Sequence, residues 1–352
     1  MVNIQTCRGR ALFAQSDGTL FRSLHFDIYC SKDDGRTWQC ILSIHRSRRR
    51  QVVEKSRLVC RLLRQEVRGF IPLAGGGFVA STRNGVNWAP PGNISMQPSI
   101  IDTGRTSVKW PMNICADLRG RVLWGEYWGN PKRRSVRIFA SDDGGRTFHI
   151  VHTFAAGETR HVHNILFDQE LDKFWVMCGD HDSDPGVGLL DSDFRNFEWV
   201  VKGRQEYRTV CAFNLGKQIV YATDTEMEAN GIHVLDKTTG KVEKIAEIDG
   251  SCIYATRCGK YYVISTTAEP LKGQADTTNA GIASIWISSD AYTWRRVYRV
   301  KKDIWSYKYF QFGSLVLPRG VSNREVLMFS GQALRGIDGK IFTFELEDNE
   351  NY

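Results

Sequence analysis

The feature that most constrains the fold is a short turn motif that returns along the chain. Residues 31–38 read Ser-x-Asp-x-Gly-x-Thr-Trp, and residues 141–148 repeat every position with Phe148 in place of the tryptophan. Weaker copies begin at residues 81, 191 and 288. In such a turn the aspartate accepts backbone N–H bonds, the glycine adopts a positive φ, and Thr-Trp begins the next strand. The motif therefore predicts strands joined by one recurring structural turn.

The spacing of the copies gives a period. Successive copies begin 50, 60, 50 and 97 residues apart. The last gap is about two periods, which predicts a further turn near residue 240, where residues 236–240 read Asp-Lys-Thr-Thr-Gly. A period near 50 residues, built from short β-rich runs, is typical of repeated four-stranded sheets.

The two full copies, 31–38 and 141–148, resemble the Asp-box of sialidase-like β-propellers. This resemblance implies an all-β fold of four-stranded antiparallel blades. We expect one domain over residues 1–352, with seven blades favoured over the six of sialidases. The last blade has candidate strands at residues 310–312, 326–329 and 340–344. We expect residues 2–5 from the amino terminus to supply its fourth strand, since closure removes the open sheet edges.

Composition limits the partners and the compartment. The net charge of +8 favours anionic partners. No apolar run is long enough to cross a membrane, and the first ten residues contain no apolar signal segment, so we expect a cytoplasmic protein. Nine cysteines is an odd number, and several lie in apolar runs that are typical of strands (Cys40, Cys60, Cys178 and Cys211). We expect buried free thiols rather than disulfides.

Much of the positive charge lies between residues 46 and 68, where arginines alternate with apolar residues. A basic amphipathic segment at 46–64 can lie on an anionic membrane surface, which would make the protein membrane-peripheral. The alternative is a solvated basic connector at about 45–57, followed by an ordinary buried strand. We do not expect nucleic acid as a partner, because the sequence contains no recognised binding module.

Acidic residues follow the second predicted strand in four repeats. If each blade runs outward from the axis, these strand ends lie on the face opposite the recurring turns, where propellers usually bind ligands. The beginnings of the first strands lie on the same face and carry further polar residues. The acids are Glu126, Asp180, Asp224 and Glu269, and the other residues are Arg160, His161, His163, Gln205, Tyr207 and Arg208.

Two carboxyl groups across a sugar ring suit glycoside hydrolysis. We therefore expect an exo-acting glycoside hydrolase on an acidic or polar glycan, with Asp180 and Glu269 as the leading catalytic pair and Glu126 and Asp224 as further catalytic candidates. The remaining polar residues would bind substrate: His161, His163, Gln205, Tyr207, Arg208, Tyr127 and Arg160. The alternative for each residue is structural, since acids after strands are common turn formers and Arg208 can form an ion pair within the protein.

The resemblance to sialidases implies a tyrosine nucleophile and a cluster of three arginines. Tyr127 or Tyr207 is a candidate for the tyrosine, and Arg119, Arg160 and Arg208 are candidates for the arginines. The Arg-Ile-Pro signature of sialidases is absent, because residues 69–72 place Phe70 at the arginine position. Sialidase activity itself is therefore not expected.

Three other functions remain open. Some propeller polysaccharide lyases hold a divalent metal with histidines and a glutamine, and His161, His163 and Gln205 resemble that set. We expect no cofactor, with a divalent metal at His161 and His163 as the alternative. The protein can also be an intracellular glycan-assembly enzyme, or a propeller that binds a glycan or a protein without catalysis.

Overall fold

Strands dominate the computed structural model, which describes residues 2–103, 107–269 and 281–346. The chain divides into two compact units. The first comprises Met1–Glu66, Glu226–Ile232 and Lys244–Tyr352, and the second comprises Val67–Thr225 and His233–Glu243. Within the described residues, no helix is both long and apolar enough to span a membrane.

The first unit begins with β1 (Val2–Arg8) and then a four-stranded antiparallel sheet. That sheet consists of β2 (Arg10–Ala14), β3 (Leu20–Leu24), β4 (Asp27–Ser31) and β5 (Gln39–Ile44). Helices α1 (Arg48–Val53) and α2 (Arg57–Leu63) follow it. The strand predicted directly after the basic connector is wrong, because residues 57–63 are helical and the next strand begins at Val67.

The second unit contains three sheets of consecutive antiparallel strands and the start of a fourth. The strands are β6 (Val67–Pro72), β7 (Phe78–Thr82), β8 (Gly85–Ala89), β9 (Ser95–Pro98), β10 (Ile100–Ile101), β11 (Cys115–Ala116), β12 (Val122–Gly125), β13 (Val136–Ser141), β14 (Thr147–Phe154), β15 (Val162–Asp168), β16 (Lys173–Cys178), β17 (Gly186–Asp191), β18 (Phe197–Lys202), β19 (Thr209–Leu215) and β20 (Gln218–Thr223). Strands β6–β9, β11–β14 and β15–β18 form the three sheets, and β10 adds in parallel to β14. A 3₁₀ helix, Gln205–Tyr207, leads into β19.

The remaining strands complete the fourth sheet and form two more. They are β21 (Gly231–Asp236), β22 (Val242–Glu247), β23 (Cys252–Cys258), β24 (Tyr261–Ala268), β25 (Ile282–Ser288), β26 (Arg295–Lys301), β27 (Gly313–Val316), β28 (Arg319–Ser322), β29 (Val326–Gln332) and β30 (Lys340–Glu345), with the short helix α3 (Tyr307–Phe310) before β27. Strands β21 and β22 continue the sheet of β19 and β20, while β23–β26 pair antiparallel in chain order, and β23 and β24 also pair with β28 and β27.

The amino terminus completes the last sheet, as predicted. Strands β27, β29 and β30 pair antiparallel in that order, and β1 pairs antiparallel with β30 through Val2–Arg8. The predicted strand at residues 310–312 is wrong, because α3 ends at Phe310 and the first strand of this sheet begins at Gly313.

The recurring turns have the expected hydrogen bonds. Asp143 accepts the Thr147 backbone N–H at 2.8 Å and the Thr147 hydroxyl at 2.6 Å, while the buried Ser141 hydroxyl accepts the Gly145 N–H at 2.8 Å. The turn at 31–38 repeats these bonds. Both turns join the third and fourth strands of their sheets, as do residues 236–240. The copy predicted at residue 81 is wrong, because it joins the second and third strands, β7 and β8.

All nine cysteines are free thiols within the described part of the chain. Cys60, Cys178 and Cys211 are buried as predicted. The prediction that Cys40 is buried is wrong, because this residue is exposed on β5.

Candidate functional site

The centre of the candidate site is a buried pair of histidines in the second unit. His161 precedes β15 and His163 lies within it, so alternation along the strand turns both rings the same way. Their Nε2 atoms are 2.9 Å apart, and each side chain is only 2% exposed. The sequence predicted this common orientation.

The hydrogen bonds of the other ring nitrogens fix the tautomers. His161 Nδ1 lies 2.6 Å from the Trp128 carbonyl, and His163 Nδ1 lies 3.1 Å from the Thr209 carbonyl. A carbonyl only accepts, so both Nδ1 atoms carry the proton. In the neutral rings the two Nε2 lone pairs therefore point at each other. Only a shared proton or a bound cation relieves this contact.

Burial of the histidines favours a bound cation over a shared proton. It lowers the pKa of His161, and burial together with the neighbouring His161 and Arg208 lowers the pKa of His163 well below its ordinary value. Asp180 can supply a third ligand, since one of its carboxylate oxygens and one ring nitrogen of each histidine lie within 4.8 Å of one another. Two imidazoles and a carboxylate form a donor set suited to Mn²⁺, Fe²⁺ or Zn²⁺. This group can hold a metal ion.

Arg208 borders the cluster and has unused donors. Its Nη2 lies 2.5 Å from Asp180 and 3.7 Å from Asp224. Its Nε and Nη1 are buried and have no hydrogen-bond partner among the residues that the structure describes. Buried guanidinium donors without acceptors are costly, so this arrangement favours an anionic ligand. Although burial raises the pKa of Asp180, Arg208 and the two imidazoles outweigh it, and the pKa lies below its ordinary value.

Tyr127 covers the histidines. Its ring centroid is 4.6 Å from that of His161 and 6.0 Å from that of His163. Burial raises its pKa, and Asp224 and Asp180 raise it further, so the phenol keeps its proton at neutral pH. Asp224 follows β20 and retains 13% side-chain exposure, compared with 18% for Asp180. Asp180 and Asp224 are therefore the partly exposed carboxylates beside the buried histidines.

Asp184 is a supporting residue that the sequence analysis missed. Its carboxylate accepts the backbone N–H groups of Asp180 and Arg160, both at 3.1 Å, and pairs with Arg133 at 2.7 Å. It therefore closes the loop that carries Asp180. The signal in the sequence was the acidic run of residues 180–184, which places a second carboxylate one short turn after the first.

Two predicted substrate-binding residues have contacts within the protein instead. The Gln205 amide donates to the Asp182 carbonyl at 3.1 Å and accepts from the Thr225 hydroxyl at 2.8 Å. Tyr207 packs in the hydrophobic core with Trp175. The glutamine of the expected metal set is thus engaged in loop contacts, and Asp180 is the third group beside the histidines. Arg160 is half-buried nearby, and its backbone contacts Asp184.

Two predicted catalytic acids lie in other surroundings. Glu126 is 1% exposed and pairs with Arg137 at 2.8 Å, while its carboxylate also accepts the backbone N–H groups of Lys109 and Arg137. Glu269 belongs to the first unit, where it follows β24 and accepts the Thr267 hydroxyl at 2.8 Å. Within the second unit, the structure therefore brings Asp180, Asp224, His161, His163, Tyr127 and Arg208 together, while Glu126 is enclosed with Arg137.

Comparison with solved structures decides the fold. Virginiamycin B lyase from Staphylococcus aureus, in a catalytically inactive form with quinupristin, matches at a TM-score of 0.62 and 12% identity, over 97% of this chain and 99% of that chain. The fold is a β-propeller. An oligogalacturonate lyase in complex with manganese matches at 0.59 and 9% identity over 99% of both chains, and the WD40 propeller domain of Doa1 at 0.55 and 10% identity over 99% and 96%.

The predicted all-β propeller of four-stranded blades is thus confirmed. The preference for seven blades stays a prediction, and so does the narrower resemblance to sialidases, because these propellers are of other kinds. No protein family and no curated protein sequence matches the chain.

Proposed function

We propose that the protein is a metal-dependent propeller lyase that cleaves a uronate-containing glycan by β-elimination. The observation that carries the proposal is the pair of facing Nε2 atoms of His161 and His163, 2.9 Å apart, beside the Asp180 carboxylate. Two imidazoles that bind one ion at about 2.1 Å, with a bond angle near 90°, have nitrogens about 3 Å apart. The spacing therefore suits adjacent ligands of one ion.

The substrate class follows from charge. A bound divalent ion would neutralise a substrate carboxylate and make the hydrogen on the neighbouring carbon more acidic. Arg208 supports the same choice, because its Nε and Nη1 lack partners among the described residues and suit a carboxylate. The oligogalacturonate lyase with manganese has the same fold and a name consistent with such a substrate, although at 9% identity it contributes no residue assignment.

The remaining polar groups suit the proton transfers. Asp224 would accept the proton from the carbon beside the carboxylate, while the Tyr127 phenol would donate a proton to the leaving glycosidic oxygen. The carbon–oxygen bond breaks as a carbon–carbon double bond forms, so the reaction needs no oxidant and no water. The raised pKa of Tyr127 keeps the phenol protonated at neutral pH, so a proton is present for the transfer.

Glycoside hydrolysis is the second candidate, and the adjacent carboxylates of Asp180 and Asp224 favour it. Hydrolysis requires one carboxyl group that holds a proton, however, and the Asp180 pKa is lowered. The two reactions differ in their products. Elimination forms a double bond conjugated to the carboxylate, which absorbs in the ultraviolet, whereas hydrolysis forms a new reducing end without that absorbance.

The test begins with metal binding. Titration of chelator-treated protein with Mn²⁺, followed by the loss of the free-ion electron paramagnetic resonance signal, should give one tight site. His163→Ala and Asp180→Asn should each weaken binding by about 100-fold or more. The matched control is His149→Ala, which alters an exposed histidine 3.9 Å from Asp142 in the same unit and should leave binding unchanged.

Activity is then assayed on polygalacturonate and other uronate oligosaccharides. We expect ultraviolet-absorbing products that disappear with chelator and return with Mn²⁺. Reducing ends without absorbance would favour hydrolysis. An absence of both tight metal binding and cleavage would overturn the proposal.

A further inference from the structure

A group of large apolar side chains lies exposed on the first unit, far along the sequence from the candidate site. Helix α2 exposes Val59, Leu62 and Leu63 by 37%, 43% and 40%. The segment around α3 adds Ile304 at 92%, Trp305 at 41%, Tyr309 at 53% and Phe312 at 42%. Single exposed apolar residues are ordinary, but a patch of this size marks an interaction surface. We call these seven residues the apolar patch.

Arg61 joins the two parts of the patch. Its side chain is 1% exposed, pairs with Asp303 at 2.5 Å and donates to the Phe310 carbonyl from both Nε and Nη2. Because Arg61 lies on α2 and Phe310 ends α3, these contacts hold the two short helices side by side. The buried Arg61–Asp303 pair therefore holds the two parts of the apolar patch next to each other.

Basic residues lie beside the Ile304 and Trp305 part of the patch. A hollow of about 560 Å³ lies between α2 and residues 301–305 and is lined by five basic side chains and two carboxylates. The basic residues are Arg57, Arg61, Lys301, Lys302 and Arg335. On the preceding helix, α1, Arg48 and Arg49 are exposed beside Val52, which is 65% exposed. The surface thus combines positive charge with apolar and aromatic tips.

We propose that this surface docks the protein on an anionic phospholipid bilayer. Aromatic residues such as Trp305 and Tyr309 favour the boundary between headgroups and acyl chains, and Ile304 would enter the acyl region. The arginines and lysines contribute attraction to anionic headgroups. Charge complementarity selects this occupant over an apolar protein face, because five basic residues against two carboxylates leave the lining of the hollow with a net positive charge.

Vesicle co-sedimentation of the full chain tests the proposal. We expect binding to vesicles that contain phosphatidylserine or phosphatidylglycerol, weak binding to pure phosphatidylcholine, and loss of binding at high salt. The double variants Ile304→Ser/Trp305→Ser and Arg48→Glu/Arg49→Glu should each reduce partitioning by about 10-fold or more. Thermal unfolding of both variants, expected to match that of the wild type, verifies that they fold.

Matched controls lie in the second unit. Ile94→Ser and Leu118→Ser remove apolar side chains that are 76% and 64% exposed, and Arg195→Glu reverses a charge that is 82% exposed. All three should bind vesicles like the wild type. Equal binding to neutral and anionic vesicles, or equal loss with the controls, would overturn the proposal. Self-association that the Ile304/Trp305 double variant abolishes, without vesicle binding, would assign the patch to a second copy of the chain instead.

Discussion

At the residue scale, the ion pairs of each acidic residue determine whether it belongs to the candidate site. Asp180 and Glu126 follow corresponding strands and look alike in the sequence. Glu126 is enclosed with Arg137, whereas Asp180 faces two histidines and an arginine with unused donors. An acidic residue after the second strand of a sheet is therefore structural in one blade and a candidate ligand in the next.

The Glu126–Arg137 pair should be needed for stability. Glu126→Ala leaves the Arg137 guanidinium without its buried carboxylate, so we expect a loss of about 3–5 kcal/mol in the free energy of unfolding, measured with urea. Glu198→Ala, at an exposed position of β18, is the control and should change it by less than about 0.5 kcal/mol. An effect of the same small size for both variants would contradict the structural role of Glu126.

Metal affinity should depend on pH through the histidine pair. A protonated imidazole cannot bind a metal, so affinity falls as the pH drops through the histidine pKa. Burial lowers the pKa of both histidines, which places the loss of affinity below the ordinary range of about pH 6.5. Mn²⁺ titrations between about pH 5 and 8 should therefore give a flat affinity near neutrality. A steep fall already between about pH 8 and 7 would contradict neutral imidazoles.

Tyr127 and Arg208 should affect different kinetic constants. Tyr127→Phe removes the proposed proton donor, and we expect kcat to fall by about 10²-fold or more with little change in KM. Arg208→Gln removes the proposed carboxylate contact, and we expect a rise in KM of about 10-fold or more. Steady-state kinetics on a uronate oligosaccharide measures both. Parallel effects of the two variants on both constants would indicate general damage to the site.

At the element scale, the recurring turn is stabilised by its own hydrogen bonds, and acid should weaken it. Backbone and hydroxyl bonds outweigh burial and lower the Asp290 pKa to about 2, below its value in the unfolded chain. The carboxylate therefore stabilises the fold above the unfolded pKa, and this contribution is lost as the pH falls through about 2. The turn is a structural element, as the sequence predicted.

Asp290→Asn tests this linkage. The variant should be less stable than the wild type at neutral pH, and the difference in unfolding free energy should shrink as the pH falls from about 4 towards 2. Denaturant titrations across that range provide the measurement. Asp142→Asn removes an exposed carboxylate at the variable second position of the 141–148 turn and controls for net charge. A constant difference at every pH would contradict the pKa assignment.

At the scale of the whole molecule, the amino terminus belongs to a sheet formed by the carboxyl terminus. Strand β1 pairs along its length with β30. Deletion of residues 1–8 should expose the edge of β30 and lower the melting temperature measured by circular dichroism. A synthetic peptide of residues 1–8 added in trans should restore part of the loss, since an extended peptide can add to an exposed strand, while a scrambled peptide should not. An unchanged melting temperature would contradict the closure.

The sequence alone determined the features that depend on local patterns. The hydrogen bonds of the turn join residues within four positions of each other. The structure of Ser31–Trp38 can therefore be predicted from those residues alone. The spacing of these turns also allowed the prediction that the acids and histidines lie at corresponding strand ends of successive blades. One prediction from a local pattern was wrong. Ser81–Trp88 resembles the motif, but it joins the second and third strands of its sheet, β7 and β8, rather than the third and fourth.

Only the tertiary structure decided how the charges are paired. Arg137 is 11 residues from Glu126, Arg208 is 28 residues from Asp180, and Arg61 meets Asp303 across 242 residues. A carboxylate is either enclosed in an ion pair or left facing two imidazoles. Which of these occurs depends on contacts between segments that are far apart in the sequence. The candidate site could therefore be identified only from the packing of the folded chain, whereas the recurring turn could be predicted from the sequence.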